Sequence, residues 1–198
     1  MIDWNFRIES ECLTITLVPD AKLHTRASIH KEQGHVTLLL PADFDFSMPE
    51  RQLWLQKAIL EQVRSYAKGI LPARLRALAQ EMGVEIEKIN VNAPRTRWGS
   101  CSCKMRRVGG LAGLFTNRKE RSSGFTINLS LYLLLLPERL QRLVMLHELT
   151  HTFEMNHSPR FHERLNALLG GQEKALEREL KQYRPDLLWF AGHYSSHM

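Results

Sequence analysis

The chain has 198 residues, 43% hydrophobic and 24% charged, with 27 Lys and Arg against 21 Asp and Glu. This composition suits one globular domain with room for a real core, and it excludes collagen-like, coiled-coil and wholly disordered chains. The net charge of +6 is local, because the span 95–121 alone carries eight basic residues and one acidic one, leaving the rest of the chain close to neutral.

The first residues, Met1 to Arg7, contain no apolar core ahead of a small-residue cleavage site, so no secretory leader is expected. The longest apolar run, 131–136, is far short of the ~20 residues that cross a bilayer, and no membrane partner is expected. Three cysteines, Cys12, Cys101 and Cys103, are too few for a disulfide scaffold and read as reduced thiols of a cytoplasmic protein.

Strands are predicted at 13–18, 23–29 and 36–40, with turn signals at Pro19-Asp20 and Gln33-Gly34. Ser47 and Glu50 have capping-box spacing, and Leu53, Trp54, Ala58, Ile59 and Val63 recur at helical intervals up to a break at 69–72. Pro72 then opens a second helix, whose stripe of Leu75, Leu78, Ala79 and Met82 stops at Gly83. Short strands follow at 86–91, 97–101, 111–116 and 125–129. On such a strand Cys101 and Cys103 share one face, where a metal pair is conceivable and small buried side chains are the favoured reading. The last third is helical, with helices at 137–154, from Ser158-Pro159 to Gly170-Gly171, and at 173–183. This order argues an α+β fold in a single unit, 1–198. Its parts are an N-terminal strand region at 1–46, a core at 47–170 and a C-terminal helical extension at 171–198.

The helix predicted from Pro137 carries His147-Glu148-Leu149-Thr150-His151. Four residues advance a helix by about 400°, so the two imidazoles stand on one face, one turn apart, where a single Zn2+ can bridge them. Glu148 is offset by about 100° and is better placed to hold a water than to bind the metal. A polar trio inside the apolar run of Leu143, Val144, Leu146, Leu149 and Phe153 needs a reason, since buried polar groups without partners cost a few kcal/mol each. Catalytic zinc takes three protein ligands. His157, six residues past His151, is the favoured third, beyond a helix end at Met155-Asn156 where Asn tolerates a left-handed turn. Glu154, His162, Glu173 and Glu177 compete for the role. The spacing also occurs in metzincins, but Glu154 stands where those have Gly.

Several ordered motifs together resemble the YgjP-like metallopeptidase family, a zincin relative of the WLM and SprT-like peptidases. They are Arg97-Trp98-Gly99-Ser100-Cys101-Ser102, Ile127-Asn128-Leu129-Ser130, Leu134-Leu135-Leu136-Pro137, His147 to His151, and Asn156-His157-Ser158-Pro159-Arg160-Phe161. The resemblance implies a compact zincin-like α+β fold, zinc on His147, His151 and His157, and Glu148 as the catalytic residue. Two features depart from the family: His162 stands where it has Trp, and the stretch 104–125 is longer.

The expected function is zinc-dependent hydrolysis of a peptide or protein amide, with Glu148 first taking a proton from the attacking water and then delivering it to the leaving amine. Arg97 and Tyr132 are candidate oxyanion donors, and the Trp98-Gly99-Ser100 strand offers a backbone edge to an extended peptide. The basic span 95–121 keeps two other readings open: hydrolysis of a phosphoanhydride such as a nucleoside triphosphate, and association with nucleic acid or with proteins bound to it.

Overall fold

A computed structural model of the chain describes residues 1–24, 27–107 and 119–184. The N-terminal region is a four-stranded sheet of β1 (Arg7–Glu9), β2 (Thr14–Asp20), β3 (Ser28–Glu32) and β4 (His35–Pro41), in the order β1-β2-β4-β3. β2 and β4 run parallel, and the outer pairs are antiparallel. The register sets Ile15 opposite Val36 and Leu17 opposite Leu38, so one face is a row of buried aliphatic side chains. β3 and β4 are joined through Gln33 and Gly34, at φ 42° and 88°, the left-handed pair that a two-residue hairpin requires. The third strand starts at Ser28, later than the pattern at 23–29 suggested, and β1 is too short to show alternation.

A single helix, α1 (Pro49–Glu81), replaces the two helices expected on either side of 69–72. Pro72 lies inside it, where it removes a hydrogen bond at a cost of roughly 3 kcal/mol. The apolar stripe runs through the proline without a phase change: Leu55, Ile59, Val63, Ala67, Leu71, Leu75 and Leu78 are all buried. Each buried leucine or isoleucine contributes about 1.5–3 kcal/mol, so packing of the whole stripe outweighs the local break. The capping box is not formed either. Met48 is the cap residue, and the Ser47 hydroxyl donates instead to Asp45, at 2.6 Å.

β5 (Ile86–Asn92), β6 (Gly99–Arg107) and β7 (Lys119–Ser130) form a second sheet in the order β5-β7-β6, with β7 parallel to β5 and antiparallel to β6. β6 and β7 are longer than expected because their outer halves pair as a ribbon of polar residues, Arg107 opposite Lys119, where no apolar alternation marks a strand. The strand expected at 111–116, Phe115, the side chains of 104–123 and the histidines of the tail, His193 and His197, lie outside the described residues. After β7 the apolar run becomes a short 3-10 helix, Leu131–Leu135, wholly buried against α1. α2 (Glu138–Thr150), α3 (Pro159–Leu168) and α4 (Glu173–Leu180) complete an α+β fold. The buried Gln141 ties α2 back, donating to Leu136 O at 2.8 Å and accepting from Arg74 of α1 at 2.8 Å. α2 packs against β6, α3 and α4, which places its surface residues in the site. Among the described residues no helix is long and apolar enough to cross a membrane.

Candidate metal centre

Leu140, Leu143, Val144, Met145, Leu146 and Leu149 make α2 apolar over most of its surface, and Glu148, Thr150 and His151 are buried among them. The Thr150 hydroxyl is satisfied by Leu146 O at 2.7 Å. α2 stops at Thr150, earlier than the apolar periodicity suggested, and His151 caps it. The next turn is closed by local bonds: the Thr152 hydroxyl donates to Leu149 O at 2.7 Å, and Glu154 N donates to Thr150 O at 3.0 Å. The expected left-handed turn at Asn156 is absent; among the described residues Gln33 is the only non-glycine with positive φ. Phe153 is likewise not core. It is 38% exposed, with the Arg164 guanidinium over its ring at 4.2 Å.

The chain then folds back into α3, whose first turn is capped by Ser158, accepting from Phe161 N at 3.3 Å. That cap fixes Phe161, fully buried, beneath the histidines. Its ring centroid lies 4.9, 4.7 and 4.8 Å from those of His147, His151 and His157. Above this floor the three histidines gather so that one ligand atom of each lies within 4.8 Å of the others, and they are the one such group of three among the described residues. Nε2 of His147 and Nε2 of His157 are 3.0 Å apart. Nitrogens bound to tetrahedral zinc at about 2.0–2.1 Å sit ~3.3 Å from one another, so this spacing fits one metal ion. His151 Nδ1 lies 3.1 Å from Glu154 O, which accepts its hydrogen and leaves Nε2 as the free ligand atom. Burial first, and then the charges of His151, His157 and His162, push the His147 pKa down to about 4. Burial also lowers that of His151. Neutral imidazoles are the ligand form.

Glu148 is 5% exposed, and burial raises its pKa to about 8, with Arg97 offsetting part of the rise. Its carboxylate lies against Gly99 at the start of β6: a Cβ there would stand 2.5 Å from Oε1. In the register of β6 against β7, Gly99 and Cys101 face the same side as the buried Leu129 and Ile127, toward α2. Burial, with Glu148 and Cys103 adding to it, raises the Cys101 thiol to about 12, which keeps it an inert neutral side chain.

None of the competing ligands belongs to the group of three histidines. His162 Nδ1 is bonded to the buried Glu173 carboxylate at 2.6 Å, and Glu154 contributes its carbonyl to His151. Glu177 lines a cleft of about 540 Å3 that opens beside His147 and Glu148, walled by Trp98 and by Leu180 of α4. Tyr132 is buried in the 3-10 helix and is not among the residues lining this cleft, whereas Arg97 acts on Glu148 through its charge. Two residues of the site are not tied to the histidines or to Glu148 by the sequence reading. Phe161 is named there only as the last residue of the motif that begins at Asn156. Gly99 did carry a signal, since a glycine within a strand marks close approach of another group.

A family model described as YgjP-like, metallopeptidase domain, matches residues 18–107 and 121–183. No curated protein and no solved structure matches the chain.

Proposed function

Since the chain belongs to the YgjP-like metallopeptidase family, we propose that it is a zinc-dependent peptidase working through Glu148 beside His147, His151 and His157. The observation that carries this reading is the convergence of three imidazoles with one buried carboxylate at the end of an open cleft. Zinc held by the histidines would supply Lewis acidity and bring the pKa of the attacking water from 15.7 to about 7.

The protein supplies the rest. Glu148 takes the proton of the attacking water and returns it to the leaving amine. Its pKa of about 8 describes the carboxyl without a metal, and a divalent cation beside it draws the value down, toward that of a base ionised near neutral pH. Gly99 holds the carboxylate from behind, Phe161 holds the ligand rings, and Arg97 favours the ionised form of Glu148. β6 is an edge strand of its sheet, and its start at Trp98-Gly99 borders the cleft, which suits pairing with an extended peptide.

The phosphoanhydride and nucleic-acid readings rested on the basic span, whose side chains from 104 to 123 lie outside the described residues, and the family favours the peptide over both. The test is elemental analysis of the purified chain together with peptide hydrolysis by the wild type and by Glu148→Gln. The expected result is about one zinc per chain in both proteins, and hydrolysis lowered at least 1000-fold in the variant. Full activity in Glu148→Gln would overturn the mechanism.

A further inference from the structure

The cleft beside Glu148 is asymmetric in chemistry. Its lining includes Leu143 and Val144 of α2, one turn before the site, together with Trp98 and with Leu180 of α4. Glu177 and Lys181, one charge of each sign, also line it. A ligand that covers the apolar side chains of the lining gains by removing their surface from water, at roughly 25 cal/mol per Å2. The α4 wall is held in place at two points. The buried Glu173 binds His162 of α3 at 2.6 Å, and Glu179 pairs with Arg139 of α2. The cleft is thus formed before a ligand arrives, and its volume of about 540 Å3 accommodates a large side chain with its flanking backbone.

We propose that this cleft is a specificity subsite that takes a bulky apolar residue of the peptide next to the scissile amide, with Leu180 setting its size. The inference rests on the peptidase reading for the adjacency to a scissile bond, but the preference itself is a binding property of the walls. Leu180 is the informative position because it belongs to α4 and lies outside both the histidine cluster and the strand that contacts Glu148.

The experiment uses the full chain carrying Glu148→Gln and loaded with zinc, so that peptides bind without turnover. Calorimetry measures its affinity for a set of otherwise identical peptides with Phe, Leu, Ala, Gly, Asp or Lys at one position. Phe and Leu peptides are expected to bind at least tenfold more tightly than Gly, Asp and Lys peptides. Adding Leu180→Trp narrows the cleft and shifts the Phe to Ala affinity ratio at least fivefold toward Ala, while Leu180→Ala shifts it toward Phe. The second variant keeps the test available if the first does not fold. Equal affinity across the set, or a ratio that neither variant moves, overturns the subsite and leaves the hydrolysis test of the proposed function untouched. The expected binding pattern combined with no hydrolysis by the wild type supports the subsite and overturns the peptidase reading.

Discussion

Gly99 and Glu148 are in contact across the gap between β6 and α2, so closely that a methyl group on Gly99 would stand 2.5 Å from the carboxylate oxygen. Both are held by their elements: Gly99 is paired into the sheet opposite Leu129, and Glu148 is buried in the last turn of α2. The glycine is therefore part of what aims the carboxylate.

Gly99→Ala is expected to push the Glu148 side chain off its position. Overpacking of this kind costs about 1–3 kcal/mol of stability. The sharper effect falls on catalysis: kcat/KM drops at least tenfold while bound zinc, measured by elemental analysis, stays at the wild-type level. Retained activity in a folded Gly99→Ala protein would show that the carboxylate tolerates displacement.

The third ligand separates cleanly by substitution. His157→Ala is expected to weaken zinc binding at least 100-fold in a chelator competition, because it removes one of three protein ligands. His162→Ala should leave the zinc content unchanged, since its ring is engaged by Glu173. Equal metal loss in both variants would place His162 in the metal site.

Phe161 touches all three imidazoles, and truncating a fully buried Phe to Ala costs about 3–5 kcal/mol, seen as a lower denaturation midpoint. Phe161→Leu keeps most of the volume and is the better probe. It is expected to retain most of the stability while lowering zinc affinity about tenfold, as loss of groups that orient metal ligands does.

In metal-free protein Glu148 sets a pH dependence of known sign. Its folded pKa of about 8 lies above the ordinary 4.5, so its contribution to stability is full below pH 4.5 and is lost as pH rises toward 8. Glu148→Gln removes that loss. The variant is expected to match the wild type near pH 4.5 and to exceed it by a few kcal/mol near pH 8, in urea melts with chelator present. His147 works in the opposite direction, losing its contribution as pH falls from 6.5 toward 4, but it is common to both proteins and cancels. A difference that is flat with pH would mean that Glu148 is not desolvated.

Much of the site could be read locally. The pairing of His147 with His151 follows from the period of one helix turn, and the Ser158 cap from a serine ahead of proline. The buried face of the first sheet follows from alternation in β2 and β4. Local signals misled where distant packing opposed them. Pro72 marked a break that the buried stripe of α1 spans, and Asn156 marked a left-handed turn that the threonine hydroxyls of the preceding turn make unnecessary.

Spacing along the chain thus carried the chemistry of the metal centre, since ligand type and helical period act within a few residues. It favoured His157 over Glu154, His162, Glu173 and Glu177 without showing what engages each of them, and it could not show what presses on Glu148. Those outcomes depend on Phe161 beneath the rings, Glu173 beside His162 and Gly99 against the carboxylate, contacts between α2, α3, α4 and β6. They arise only when the elements pack, because burial energy is summed over the whole core and is indifferent to separation in sequence.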